Sequence, residues 1–196
     1  TLEDPIEYVY TPKKAIINQR EVGVDVEDYE HGLYASLRED PDVILIGEMR
    51  TPETIETALV AAETGHLVFS TIHTNSAVDS IDRIVGVFPE NKQPQIRLQL
   101  SMTLKAVLAQ QLVPRATGRG RAAACELMMI TPPVRNLIRD GRTPQMQSYL
   151  MSGGKDGSVT MDRFLAELAG KGVIMPETAM EAADDPEEMR KNFMFR

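Results

Sequence analysis

The chain has 196 residues, of which 42% are hydrophobic and 26% charged, a composition typical of a globular protein of ordinary size. A net charge of −8 gives no general attraction to nucleic acid, and no run of about 18 apolar residues is present to span a membrane. We therefore expect no nucleic-acid partner and no direct membrane insertion. The single Cys125 cannot form an internal disulfide, and no secretory leader opens the chain, which favours a reducing, cytoplasmic location.

Helix and strand patterns alternate in the first half of the chain. Apolar residues at helical spacing predict a helix over 28–37, and the apolar run over 42–47 predicts a strand buried on both faces. Thr51 can cap the next helix, and Pro52 suits its first position, where a missing N–H does no harm. That helix should stop before Gly65.

A second strand, two helices and a hairpin follow. Residues 66–72 predict another buried strand, and residues 75–76 can cap the helix after it. An apolar stripe predicts a longer helix over 93–108. Strand-like stretches over 111–115 and 122–130 flank a glycine turn and predict a hairpin. The alternation as a whole predicts an α/β fold, with a parallel sheet covered by helices on both faces.

The remainder of the chain carries only short helix patterns, punctuated by glycine and proline. These helices are predicted at 133–139, 145–151, 160–171, 177–183 and 187–193. The sequence thus predicts an α/β domain over 1–130 and a small all-helical subdomain over 131–196.

Three carboxylates, Glu3, Asp4 and Glu7, lie at the start of the chain, after the end of a predicted strand. Ligands of open parallel sheets bind at the carboxyl ends of the strands. Carboxylates at that edge can orient an attacking water or hold Mg²⁺ through water. An acidic, solvated turn has the same composition, so this group alone does not assign a site.

A second carboxylate position follows the strand over 42–47, where Glu48 comes directly after Gly47. This pattern is similar to the second nucleotide motif of P-loop ATPases, whose strand delivers an acid to the Mg²⁺ and γ-phosphate region. Gly47 stands where an aspartate is usual. The generic pattern is weak, because apolar strands often run into charged loops in α/β proteins.

Two histidines bracket the strand predicted over 66–72. His66 and His73 are seven residues apart, an odd offset that projects them from opposite faces at opposite ends, so they cannot readily share a metal. His73 and Thr74 should lie at the same edge as Glu7 and Glu48 if the strands are parallel. His66 is equally explained as a hydrogen-bonded core histidine. The three clusters together indicate nucleotide hydrolysis.

The phosphate-binding pattern G-x-x-x-x-G-K-[ST] does not occur in the 196 residues. Residues 153–156 (GGKD) are similar to its end, but Asp156 replaces the serine or threonine and Tyr149 replaces the first glycine. We expect a plain loop there. The chain opens on Thr1, with no initiator methionine and no element before its first strand. We therefore expect a fragment whose phosphate-binding loop lies upstream.

Three longer motifs resemble those of the secretion ATPase superfamily. Residues 1–8 (TLEDPIEY) resemble its aspartate box, residues 40–50 (DPDVILIGEMR) its variant Walker B motif, and residues 61–77 (AAETGHLVFSTIHTNSA) its histidine box. The resemblance covers residues 1–171. It implies a partial RecA-like P-loop NTPase core with a parallel sheet, followed by the helical subdomain.

Two stretches resemble the pilus-retraction (PilT) branch of that superfamily, residues 18–23 (NQREVG) and 133–141 (PVRNLIRDG). The paired CxxC zinc motifs that are frequent in assembly and type II secretion ATPases do not occur in the sequence. The branch implies that residues 135–141 transmit motion rather than perform chemistry. A polar helix capped by Gly141 accounts for the same stretch equally well.

The resemblance also implies roles for individual residues. Glu7 is expected to activate the attacking water, and Glu48 to position Mg²⁺ or that water. His73, supported by His66, is expected to couple the γ-phosphate to the sheet. The other nucleotide-binding candidates are Glu3, Asp4, Arg38, Arg50 and Thr74, with the two arginines reaching phosphates at a subunit interface.

The function implied by the resemblance is that of a homo-hexameric motor that hydrolyses ATP with Mg²⁺ and retracts a type IV pilus. Such a motor works in the cytoplasm at the inner face of the cytoplasmic membrane, with an inner-membrane pilus platform protein as its partner. A pilus-assembly or type II secretion motor is the alternative. The chain by itself is expected to be inactive, or to act as an interaction module.

Overall fold

The computed structural model describes residues 1–152 and 156–194. The chain divides into two compact units, one of residues 1–73 and 84–103 and the other of residues 74–83 and 104–196. The loop predicted at residues 153–155 lies outside the described residues. No helix of the described part combines the length and the apolar character needed to cross a membrane.

The helices and strands follow one another along the chain, with the parallel strands first. In order they are β1 (Leu2–Glu3), β2 (Arg20–Glu21), α1 (Tyr29–Ser36), β3 (Val43–Ile46), α2 (Pro52–Glu63), β4 (Leu67–Ser70), α3 (Ala77–Gly86), α4 (Gln93–Thr103), β5 (Ala106–Pro114), β6 (Arg121–Met129), α5 (Pro132–Arg139), α6 (Thr143–Met151), α7 (Met161–Gly170), α8 (Pro176–Ala182) and α9 (Pro186–Met194).

A parallel four-stranded sheet organises the first unit, with the strand order β2-β1-β3-β4. Its inward side chains pack against α1 and α2 in one apolar core, which contains Leu2, Leu33, Ile44, Ile46, Ala58 and Ala61. The predicted start of α2 is confirmed, since Thr51 accepts a hydrogen bond from the backbone N–H of Thr54. The helix ends as expected before Gly65, whose φ of 107° suits glycine.

The prediction of strands buried on both faces is wrong, because side chains on the outer face of the sheet are exposed. Val43 pairs with Leu67 and Leu45 with Phe69, so these four side chains share one face. Val43, Leu67 and Phe69 are 52%, 47% and 53% exposed. Within the first unit, α1 and α2 pack on the opposite face, against Ile44 and Ile46. A continuous apolar run therefore does not mean two buried faces here.

The helix predicted over 93–108 is too long. α4 ends at Thr103, and β5 begins at Ala106. Within β5, Ala109 and Val113 are buried while Leu108 and Leu112 are exposed, the alternating exposure of a strand. Each residue of β5 pairs with one of β6 in antiparallel register, so the hairpin is confirmed and is longer than predicted. In this segment the apolar spacing fits a helix as well as a strand, and the pairing with β6 makes it a strand.

The second unit packs helices against this hairpin. Its core contains Val113, Ala122, Ala124, Met161, Leu165, Ile174, Ala179 and Met189, contributed by β5, β6, the last three helices and the connection between α7 and α8. The five short helices predicted after residue 131 are confirmed as α5 to α9, with end residues that differ by at most two positions. The hairpin groups with these helices, whereas the domain division at residue 130 stays a prediction.

Glu126 is a carboxylate in the interior of the second unit, only 1% exposed. The N–H of Ala77, at the start of α3, donates to its Oε1 at 2.7 Å. Its Oε2 is buried and has no hydrogen-bond partner in the described part of the chain. Burial raises the pKa of Glu126, and the charges of Asp184 and Asp79 add to this effect, although the N–H groups of Ala77 and Met161 oppose it.

The raised pKa of Glu126 predicts a specific dependence of stability on pH. When the folded-state pKa is raised, the group's stabilising contribution is complete below its ordinary value of 4.5 and is lost as pH rises through the folded-state pKa. Glu126→Gln abolishes this titration and keeps an acceptor for Ala77. As pH rises from about 4.5 to about 8, the unfolding free energy of wild type should fall relative to that of this variant.

Urea unfolding of both proteins across this pH range measures the difference. Glu90→Gln, at an exposed position, serves as the matched control for the loss of one carboxylate. A difference between wild type and Glu126→Gln that does not change with pH contradicts the prediction.

Candidate functional site

The carboxyl ends of β1, β3 and β4 are tied together just beyond the strands. The N–H of Gly47 donates to the carbonyl of Leu2 at 2.8 Å. The hydroxyl of Thr71 donates to the carbonyl of Gly47 at 2.5 Å, and the N–H of Met49 donates to the carbonyl of Thr71 at 3.1 Å. These bonds place Glu48 at the carboxyl edge of the sheet, between the ends of two neighbouring strands.

Glu48 lies between two basic side chains. The Nη2 of Arg50 is 2.6 Å from its Oε2, and the Nε2 of His73 is 3.3 Å from its Oε1. The Glu48 side chain is 17% exposed, against 71% for Arg50 and 81% for His73. The hydrogen bond from Arg50 is the main reason that the pKa of Glu48 lies below its usual value; the charges of Arg50 and His73 also lower it, and partial burial opposes them.

A carboxylate with a lowered pKa is ionised at neutral pH and is a weak base. Glu48 is therefore better suited to hold a cation or to orient a water molecule than to take up a proton. Because Arg50 and His73 are largely solvent-exposed, their ion pairs with Glu48 are weak and can be exchanged for a ligand. Glu48 thus has the properties of a binding and orienting group.

Gly47 stands where the nucleotide motif usually has an aspartate, and the structure explains why a residue without a side chain fits here. A Cβ at this position would lie 3.0 Å from the Tyr29 hydroxyl oxygen, 3.3 Å from the carbonyl oxygen of Leu2 and 3.4 Å from the Cα of Glu3. A side chain of any size crowds these neighbours. Glycine lets β3 end directly against β1 and beneath the first turn of α1.

Tyr29 lies at this site but could not be singled out from the sequence. It is one of the apolar residues at helical spacing that predict the helix over 28–37. Burial raises the pKa of its hydroxyl, and the charges of Asp4 and Glu48 raise it further. Asp4 also acts on Arg50, whose pKa is raised chiefly by its hydrogen bond with Glu48. Asp4 therefore belongs to the same charged group, although Asp4 itself is exposed.

The other carboxylates at the start of the chain lie apart from this contact network. Glu3 accepts hydrogen bonds from the hydroxyl of Thr1 and, at 3.0 Å, from the side-chain amide of Gln19. Glu7 is exposed in the loop after β1, and its side chain forms no hydrogen bond or ion pair with any described residue. The structure brings Glu48 and His73 together and does not bring Glu7 into contact with them.

Three further candidates have local surroundings that differ from those expected at a shared site. His66 lies at the opposite end of β4 from His73, where its Nδ1 is 3.0 Å from the carbonyl of Ala61 at the end of α2. The hydroxyl of Thr74 is 2.7 Å from that of Ser80. Arg38 is exposed and forms no ion pair within the described residues. The catalytic and binding roles of all three stay predictions.

The donor atoms at the carboxyl edge suit one kind of metal binding. No group of three His, Cys, Asp or Glu side chains in the described residues could hold a metal ion. Mg²⁺ needs fewer protein ligands, because one or two carboxylates usually hold it together with phosphate oxygens and water. Glu48 and Asp4 supply carboxylate oxygens near Arg50. This donor set fits Mg²⁺ that arrives with a phosphate.

The crowding around Gly47 leads to a test by substitution. Gly47→Ala places a methyl group against Tyr29 and Leu2, and we expect it to lower the unfolding free energy by about 1 to 3 kcal/mol. Gly86→Ala is the matched control, because an added Cβ there has no atom within 4 Å. Thermal unfolding of both variants measures the effect, and equal losses of stability at the two positions would contradict this account of Gly47.

Comparison with known proteins identifies relatives of the whole chain. The family model described as "Type II/IV secretion system protein" matches residues 1–161. A "Twitching motility protein" of Neisseria gonorrhoeae is 49% identical over 189 residues, which are 96% of this chain and 50% of the relative. The "Type IV pilus retractation ATPase PilT" of Pseudomonas aeruginosa is 50% identical over 187 residues, or 95% of this chain and 54% of the relative.

A solved structure gives the same relationship in three dimensions. The crystal structure of "the Pilus Retraction Motor PilT and Bound ADP" superposes with a TM-score of 0.86 at 50% sequence identity, and the match covers 97% of this chain and 53% of that one. This similarity confirms the predicted partial RecA-like fold. The chain spans about half the length of the relatives it matches. It belongs to the Type II/IV secretion system protein family.

Proposed function

We propose that this chain supplies the hydrolytic edge of an ATP-driven motor that retracts type IV pili. The observation that carries the proposal is the ionised Glu48, held between Arg50 and His73 at the carboxyl edge of a parallel sheet. Ligands of such sheets bind at that edge. The half-identical relative described as a retraction ATPase supports the choice of ATP as substrate and of pilus retraction as the work performed.

In this proposal the two carboxylates act differently on the water that attacks the γ-phosphate. Glu7 accepts a proton from that water, since its side chain has no partner in the described residues and is free to turn toward it. Glu48 orients the water or the cation by accepting hydrogen bonds or coordinating. His73 contacts Glu48 and is largely exposed, so it can report the presence of the γ-phosphate to β4.

Mg²⁺ is the proposed cation of this site. It neutralises developing charge on the phosphates when bound. Within this chain, Glu48 and Asp4 are the residues that would hold it, directly or through water, while Glu3 remains bound to Gln19. Arg50 then releases Glu48 and is free to pair with a phosphate oxygen, as a guanidinium favours.

The proposed assembly is a homo-hexamer in which neighbouring subunits complete each nucleotide site. Two exposed arginines, Arg38 and Arg50, are the residues that we propose reach phosphates across a subunit boundary. Thr74 and His66 are assigned supporting roles in nucleotide binding and in coupling. The motor is proposed to work in the cytoplasm against an inner-membrane platform protein, with residues 135–141 transmitting motion.

A pilus-assembly or type II secretion motor is the second candidate, because the matching family is described as "Type II/IV secretion system protein" and the same hydrolytic chemistry would serve either motor. The absence of CxxC pairs from the sequence and the high identity with a retraction ATPase favour retraction. A protein without its own phosphate-binding loop would instead be a binding module, which the turnover measurements below also test.

The catalytic proposal predicts loss of ATP turnover when either carboxylate is neutralised. In the full-length protein, Glu48→Gln and Glu7→Gln should each lower kcat by about 100-fold or more, because the water loses an orienting or proton-accepting group. Glu90→Gln, which is exposed and remote in sequence from the three motifs, should keep kcat within about twofold of wild type. Wild-type turnover in both Glu48→Gln and Glu7→Gln would remove the assigned roles.

The choice of retraction predicts the phenotype of a strain that lacks the protein. Such a strain should still extend pili but should fail to withdraw them, so surface pili accumulate and twitching stops. Fluorescent labelling of pili on living cells, followed over time, distinguishes the two events. Loss of pilus extension in the deletion strain, restored by the wild-type gene and not by the Glu48→Gln variant, would favour an assembly motor.

A further inference from the structure

The loop that carries Glu7 is held by hydrogen bonds rather than by apolar packing. The side chains of Tyr8 and Val9, which follow Glu7 directly, are 77% and 87% exposed. Neither residue belongs to an apolar core, so burial cannot fix the path of this loop. Whatever restrains Glu7 must act through the polar groups of the loop.

Gln19 supplies most of these restraints through a single amide. Its Oε1 accepts from the N–H of Tyr10 at 2.7 Å, and its Nε2 donates to the carbonyl of Tyr8 at 2.8 Å and to Glu3 at 3.0 Å. The amide thus uses one acceptor position and two donors. A carboxylate at this position could still accept from Tyr10 but could not donate to Tyr8 or Glu3.

Glu21 restrains the loop on the other side of Glu7. Its Oε2 accepts from the N–H of Ile6 at 2.9 Å, one residue before Glu7. Glu21 lies in β2 and Gln19 directly precedes that strand, which pairs with β1 in parallel register; the N–H of Val22 also donates to the carbonyl of Glu3 at 2.9 Å. The backbone is therefore fixed immediately before and immediately after Glu7, while the Glu7 side chain is free.

We propose that Gln19 and Glu21 are positioning residues that hold the backbone on both sides of Glu7, so that its carboxylate lies within reach of the attacking water. Both lie within residues 18–23, a stretch that has no other role in the proposed function. The inference rests on the proposed role of Glu7. A displacement of about 1 Å in a catalytic group is enough to lower a rate by about 100-fold, so modest loosening of this loop has a large expected effect.

Gln19→Glu in the full-length protein is the central test, because it keeps the size of the side chain, removes both donors and places a charge beside Glu3. We expect kcat for ATP to fall by about 10- to 100-fold while KM changes by no more than about twofold. Asn18→Asp is the matched control. It makes the same chemical change at the neighbouring, exposed residue, whose side chain forms no hydrogen bond in the described residues.

Two further variants separate positioning from general loss of structure. Glu21→Gln retains an acceptor for the N–H of Ile6 and should keep turnover within about twofold of wild type. Glu21→Leu removes that acceptor and should lower kcat by about as much as Gln19→Glu does. In a Glu7→Gln background, Gln19→Glu should cause no additional loss, since the group that it positions is already disabled. An equal additional loss in that background overturns the proposal.

Amide hydrogen exchange of the same proteins tests the geometry independently of catalysis. The N–H group of Ile6 should exchange at least about tenfold faster in Glu21→Leu, which removes its acceptor, than in wild type or Glu21→Gln. Unchanged exchange overturns the restraint itself. Faster exchange with unchanged kcat, in a protein whose turnover depends on Glu7, overturns the positioning role. If wild type hydrolyses no ATP, the proposed function fails while the exchange experiment still decides whether the restraint exists.

Discussion

The position of Glu48 depends on the register in which β3 pairs with its two neighbours. Ile44 and Ile46 face the apolar core, and this alternation selects one register, because a shift of one residue would expose both and bury Val43. In the selected register, Gly47 meets the carbonyl of Leu2 and the hydroxyl of Thr71. The packing of two isoleucines thus determines where the charged group after the strand must lie.

The charged group itself differs from a structural ion pair. Arg50 and His73 are mostly exposed, so their interactions with Glu48 contribute little to stability. Their effect falls on Glu48, which stays ionised and oriented. Because neither partner is buried, both would be able to leave Glu48 when the proposed ligand binds. These contacts add little stability and leave Glu48 accessible to a ligand, as expected at the edge of a sheet rather than within its core.

Local patterns in the sequence were enough to predict most elements and the meeting of Glu48 with His73. The alternation of strand and helix predicted the parallel sheet, and parallel strands place their following residues at one edge. Contacts between distant segments were beyond such patterns. Residues 106–108 fit a helix until their pairing with β6 is known. Tyr29 fits an apolar stripe until Gly47 is placed beside its hydroxyl. The residue types of Gln19 and Glu21 did not indicate a role, and only the family resemblance of residues 18–23 drew attention to them.

The two carboxylates assigned to catalysis are restrained in opposite ways. The side chain of Glu48 is held by two partners, at the end of a strand whose backbone is fixed. Glu7 has a free side chain on a loop whose backbone is fixed at the adjacent Ile6 and Tyr8. A group that orients charge benefits from a rigid side chain, whereas a group that takes up a proton must approach the water and withdraw. Environments that differ in this way would allow two identical side chains to perform the different tasks that we propose for them.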